Sequence, residues 1–106
     1  MEKTRLLSEF RVGVLKALAD PARLEIIEFL KDGEKCVCEI IPRLGKAQST
    51  ISKHLEILHH AGILERRVDG KRTLYRVRNP EIFKLLQILD KLILSQLHPV
   101  VEVLKA

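Results

Sequence analysis

Two β-rich runs, Ile63-Leu64-Glu65-Arg66-Arg67-Val68 and Thr73-Leu74-Tyr75-Arg76-Val77-Arg78, flank the tetrapeptide Asp69-Gly70-Lys71-Arg72. Asp-Gly between such runs is among the better short-range hairpin signals. The hairpin follows directly on a segment, about Gln48 to His60, that carries Ile51, Leu55 and Leu58 at i, i+4 and i+7 and stops at Ala61-Gly62. That spacing turns one face of a helix to a core. Ser49, Lys53, Glu56 and His60 point the opposite way, with Thr50 and Ser52 on the flanks. At 106 residues the chain is one domain with a modest core, so this helix-into-hairpin unit must dominate the fold.

The elements before it follow from periodicity and caps. Leu6, Leu7, Phe10, Val14, Leu15 and Leu18 predict a first helix over about Thr4 to Leu18. Asp20-Pro21 starts a second, because Asp can accept from free N–H groups and Pro fits where no N–H is needed. It carries Leu24, Ile26, Ile27 and Leu30 and ends at Asp32-Gly33. A short third helix should run from about Cys38 to Leu44 and stop at Gly45, with Pro42 in or just past its first turn. Asn79-Pro80-Glu81 opens a last helix by the same cap-and-proline logic. From Pro80 to Ala106, fifteen of twenty-seven residues are aliphatic, Ala or Phe, too many for a helix packed on one side. A small domain cannot hide that surface alone, so a homodimer burying this helix, with residues 1–19 beside it, is expected. Pro99 should break or bend the helix near its end.

Charge is unevenly placed. Between Arg43 and Arg78 nine Lys or Arg face three acids, a net of +6, whereas the whole chain carries +5. All the excess positive charge therefore lies in one third of the chain, which is the footprint of a face that neutralises phosphates. The alternative is a solvated charged surface. A basic hairpin directly after a helix with a polar Ser/Thr/Lys face is the wing of a winged helix-turn-helix. Double-stranded DNA is then the expected partner. Gln48, Ser49, Thr50, Ser52 and Lys53 would meet the major groove, with His54 beside them, and Arg66, Arg67, Lys71 and Arg72 would meet backbone or the adjacent minor groove.

Met1-Glu2-Lys3-Thr4-Arg5 is not followed by an apolar h-region, and no stretch is long and uncharged enough to span a bilayer. A cytoplasmic location without membrane contact is expected, where thiols are mostly reduced. The only two cysteines, Cys36 and Cys38, lie one residue apart near the start of the third helix. Three readings stand. Two thiolates at i and i+2 can converge on a soft ion such as As(III), Cd(II), Pb(II), Cu(I) or Zn(II), acting as effector and not needed for folding. A third ligand would come from water, a small thiol, Glu34, Glu39 or another subunit. Alternatively a helix N-terminus favours reactive thiolate, and the pair senses oxidants through a disulfide. The third reading is two small apolar fillers beside Val37 and Ile40. His54, His59 and His60 read as structural or phosphate-facing rather than as metal ligands, and His98 is isolated. A dithiol enzyme lacks the strand–Cys-x-x-Cys–helix pattern and an evident acid or base partner. An interaction module using only the last helix would leave the basic wing incidental.

Five motifs in order carry a family resemblance. Leu18-Ala19-Asp20-Pro21-Ala22-Arg23-Leu24-Glu25-Ile26 resembles the second-helix start of the ArsR/SmtB metalloregulatory repressors. Cys36-Val37-Cys38-Glu39-Ile40 is similar to their metal-binding sequence, and Gln48-Ser49-Thr50-Ile51-Ser52-Lys53-His54-Leu55 to their recognition helix. Ala61-Gly62-Ile63-Leu64 and the Asp69-Gly70-Lys71 wing continue the match, which covers about Leu15 to Val77. The resemblance implies a dimeric winged-helix repressor that leaves its operator when it binds a metal or metalloid, or when its thiols are oxidised. Four departures stand out. Ile41 occupies the position of the third cysteine of the arsenic-sensing pattern, and residues 1–35 contain no cysteine. Asp90, His98 and Glu102 do not reproduce the spacing of the family's zinc site on the last helix. Ala47 stands where a capping Ser is usual, so the cap should come from elsewhere. The expected architecture is mainly α with a small β-hairpin (α+β), a single domain over 1–106 in the order α-α-α-α-β-β-α, with 1–19 and 80–106 as dimerisation helices.

Overall fold

The computed structural model describes residues 2–105, apart from the side chains at 98, 99 and 101. The candidate His98 and the chain ends at 1 and 106 therefore lie outside the described residues. Helix α1 spans Glu2–Leu18, α2 Pro21–Phe29, α3 Val37–Leu44, α4 Gln48–His60 and α5 Glu81–Lys105. A 3₁₀ turn, Leu30–Asp32, closes α2. The strands are β1 (Lys35–Cys36), β2 (Leu64–Asp69) and β3 (Arg72–Val77), in the order β1-β3-β2 and antiparallel throughout. The fold is the expected one, mainly helical with a small sheet, but that sheet has a third strand. Lys35 pairs with Tyr75 and Cys36 with Leu74, so the cysteine segment is tied to the wing.

Local chemistry explains the boundaries. Asp20 Oδ1 accepts from the N–H groups of Ala22 at 2.8 Å and Arg23 at 3.2 Å, which satisfies two of the free donors of α2. Asn79 Oδ1 accepts from Glu81 N at 2.9 Å at the start of α5. In the hairpin, Asp69 pairs with Arg72 and leaves only Gly70 and Lys71 in the turn. Gly70 has φ 64 and among the described residues no non-Gly residue has positive φ, the pattern of a two-residue turn with glycine first. Helix α3 begins one residue earlier than expected because Cys36 itself is the cap. Pro42 is then its sixth residue, and Gly45 ends it at φ 67. Helix α5 runs from Glu81 to Lys105, and the bend expected at Pro99 falls on a residue outside those described.

Ile26, Ile27, Leu30, Ile40, Ile51, Leu55, Leu58 and Leu64 form a fully buried aliphatic centre. Among the described residues, Ala17, Leu18 and Val14 of α1 and Ile82, Phe83 and Leu86 of α5 join it. Beyond those turns both helices stand away from the core. The radius of gyration is accordingly 16.4 Å, against about 13 Å for a compact domain of this length. Leu6, Leu7, Phe10 and Leu15 on α1 and Leu85, Ile88, Leu89 and Leu92 on α5 are left exposed. Leu58, fully enclosed beneath α4, sets a stability test. Leu58→Ala should cost about 2–5 kcal/mol, read as a lower urea midpoint at unchanged slope. A loss below about 1 kcal/mol would mean that the core does not close there.

Candidate nucleic-acid interface

Helix α4 separates its residues as the periodicity predicts. Ile51, Leu55 and Leu58 are buried, whereas Gln48, Ser49, Thr50, Ser52 and Lys53 are exposed. The cap expected from elsewhere is not supplied: Ala47 is the N-cap and no side chain bonds to the first turn. The leading N–H groups of α4 are thus open beside three polar side chains, an arrangement that favours anions.

The wing cations divide by strand alternation, which turns neighbouring residues to opposite faces. Arg66 faces α4, where Nη1 donates to Glu56 Oε2 at 2.7 Å and to the Tyr75 hydroxyl at 3.3 Å. These two contacts, Tyr75 first, raise the Arg66 pKa. Arg67 faces the other way and grips Glu34 through two bonds of 2.8 Å. Arg76 and Arg78 share Glu65. Arg72 sits 3.5 Å from Asp69 with both side chains more than half exposed. Among the described residues no ion pair holds Lys53 of α4 or Lys71 of the wing tip, so their charge is left uncompensated, as is that of Arg43 and Lys46 just before α4.

The pairs also shape acid stability. The hydrogen bond from Arg67 holds the Glu34 carboxyl below its ordinary 4.5, against a smaller opposing effect of burial. The bond from Arg66 does the same for Glu56. A folded carboxyl held below its unfolded value contributes stability that is complete above the unfolded value and is lost as pH falls through the folded one. Replacing both, Glu34→Gln with Glu56→Gln, should therefore flatten the acid limb of the stability curve below about pH 5. Thermal melts from pH 7 downward check this, and an unchanged acid limb would contradict it.

His54 takes a different place from its neighbours. It is half-buried, and its Nδ1 lies 3.1 Å from Arg23 Nη1. Of the ten residues expected on the DNA face, it and Arg67 are the two turned to partners away from that face.

The cysteines adjoin the interface. Cys36 is buried and Cys38 exposed, their Cα atoms are 5.0 Å apart, and their sulfurs are joined as a disulfide. Cys36 has three roles: it pairs with Leu74 of the wing, its Sγ accepts from Cys38 N at 3.0 Å, and its own N–H donates to Glu39 Oε1 at 3.0 Å. The last two make the capping box of α3. A cleft of about 530 Å³ unites the pair with Gln48 and Ser52 of α4 and with Lys71 and Arg72 of the wing. As a metal centre the donor set is short. Glu39 is engaged in the cap and Glu34 by Arg67, and among the described residues no group of three or more His, Cys, Asp or Glu could hold an ion. The two thiols, once reduced, fit a soft ion as a chelating pair whose further ligand lies outside this set.

Four features were not read from the sequence: β1, the Tyr75 hydroxyl, the Glu56 anchor of Arg66 and the Arg23–His54 contact. Each depends on a partner distant in sequence, and only the alternation that separates Arg66 from Arg67 was available locally.

Comparison with known proteins is consistent with this geometry. A family model described as bacterial regulatory protein, arsR family, matches residues 20–66. An uncharacterized HTH-type transcriptional regulator of Methanocaldococcus jannaschii is 39% identical across 87% of this chain and 100% of its own. The arsenical resistance operon repressor of Staphylococcus xylosus is 32% identical across 73% of this chain and 74% of its own. A solved homodimeric winged helix-turn-helix DNA-binding domain from Mycobacterium bovis, described as a possible ArsR-family transcriptional regulator, matches with a TM-score of 0.79 at 28% identity. That match covers 92% of this chain and 89% of the other.

Proposed function

The chain belongs to the ArsR family of transcriptional regulators, and from that premise we propose that it is a homodimeric operator-binding repressor controlled through Cys36 and Cys38. Helix α4 reads the major groove through Gln48, Ser49, Thr50, Ser52 and Lys53. Lys71 and Arg72 at the wing tip meet phosphates or the minor groove, with Arg66 held behind them by Glu56. A second copy covers the exposed apolar faces of α1 and α5, as the homodimeric relative supports. Two copies then present two recognition helices to a two-fold operator.

The observation that carries the control is the shared cleft of the cysteine pair, α4 and the wing. Cys36 caps α3 and also pairs with β3, so a ligand or bond at its sulfur acts on both walls of that cleft. A thiophilic metal or metalloid is the first effector class, supported by the arsenical repressor among the relatives. Two sulfurs come from Cys36 and Cys38, and the remaining ligand comes from solvent, a small thiol or the partner subunit. The disulfide favours a second reading, in which an oxidant removes two electrons and two protons from the dithiol and the bond itself is the signal.

Titrating the operator complex with As(III), Cd(II), Zn(II) and a thiol oxidant separates the two. Cys36→Ser and Cys38→Ser should each abolish release by the true effector class while leaving operator affinity within about threefold. If neither substitution alters release by any of the four, control through the cysteines is refuted and the DNA face stands.

A further inference from the structure

The guanidinium of Arg23 joins three helices. Its Nε donates to the Ala17 carbonyl at 2.6 Å and its Nη2 to the Lys16 carbonyl at 3.2 Å, at the C-terminal end of α1, where the Lys16 carbonyl also accepts the Ala19 N–H at 3.3 Å. A cation there also meets the negative end of the helix dipole. Nη1 lies 3.1 Å from His54 Nδ1, in the middle of α4. Arg23 belongs to the first turn of α2, where Asp20 accepts its backbone N–H at 3.2 Å and stands 3.9 Å from its Nη1. Only 13% of the Arg23 side chain is exposed. The planar fork is thus spent on acceptors from α1 and α4 at once, which a lysine could not reproduce.

The position gives the contact its consequence. Helix α1 carries part of the apolar face to be covered by a second copy, and α4 carries the DNA face. His54 follows Lys53, the uncompensated cation of α4. We propose that Arg23 is a positioning residue for operator recognition, holding α4 against α1 through an unprotonated His54; this rests on the DNA-binding function proposed above.

Arginine is always charged and only donates, so His54 Nδ1 must offer its lone pair, which puts the ring proton on Nε2. A protonated His54 would turn an N–H and a positive charge toward the guanidinium. Asp20 is the acid nearest this pair, and it is held below its ordinary 3.8: burial raises it, but the N–H groups of Arg23 and Ala22 and the Arg23 charge outweigh that. It is thus ionised throughout the range in which an imidazole changes charge, and offsets part of the repulsion. Lys16 and Glu9 of α1, with Glu56 and His60 of α4, line the adjoining cavity beside Arg23.

Operator affinity of the full-length protein between about pH 8 and pH 5.5, where imidazole changes charge, tests the proposal. The wild type should lose at least about tenfold on acidification as the acceptor is lost. His54→Gln, whose amide oxygen accepts without titrating, should bind within about threefold of wild type at the upper pH and lose most of the pH dependence. Arg23→Lys keeps the net charge, yet should bind at least about tenfold more weakly at the upper pH with an unchanged salt slope. An H54Q titration parallel to the wild type, or R23K binding as tightly as wild type, would overturn the proposal. Should R23K fail to fold, the H54Q titration decides alone. A wild type that ignores the operator at the upper pH refutes DNA binding itself, a failure distinct from these.

Discussion

Ile88→Asp combined with Leu92→Asp is expected to leave a folded monomer whose operator affinity is lower by about 100-fold or more. The two positions are four apart on α5 and share one face. In the single chain Ile88 is 64% exposed and Leu92 53%, so the charges disturb little of the protomer's own core. In a dimer they would enter an apolar interface, where an unpaired carboxylate is costly enough to prevent association. A lone protomer reaches one half-site and forfeits the effective concentration that tethers the second, a factor of about 10²–10⁴. Sedimentation with circular dichroism checks the premise: helicity should persist while the mass halves. A variant that stays dimeric would place the contact elsewhere.

Lys53→Ala with Lys71→Ala is expected to weaken binding by about 10- to 100-fold, and by similar factors for operator and unrelated duplex. Both ammonium groups lack an ion-pair partner among the described residues, so their charge is available to phosphates without breaking an internal pair. The contrast is Arg67→Ala. Its guanidinium is held by Glu34 through two 2.8 Å bonds on the far side of the wing, so binding should change by less than about threefold. Filter binding to both duplexes reads the three variants together. An Arg67→Ala loss larger than that of the lysine pair would reverse the assignment of the wing faces.

Much of this was legible in the chain. The bounds of α4 follow from Ile51, Leu55 and Leu58 with the stop at Ala61-Gly62, and Asp20 and Asn79 cap the helices that their Pro neighbours begin. The hairpin is local too, because Gly70 supplies the turn. What escaped is non-local. Two residues are too few to show alternation, and β1 exists only because β3 lies alongside it. His54 reads as one more polar residue of a polar helix until Arg23, thirty-one positions earlier, is folded against it. The cysteines were visible as a pair, whereas their place on the rim of a cleft shared with α4 and the wing needed the packing of those elements.

The most direct measurement is the slope of log affinity against log salt, for DNA upstream of the protein's own gene, between about 50 and 200 mM salt. If α4 and the wing form one phosphate-neutralising face, wild-type affinity falls by about 10³ or more over that range. The Lys53→Ala, Lys71→Ala double variant should then show a slope shallower by about two. Equal slopes for wild type and variant, or affinity that salt does not touch, would contradict it.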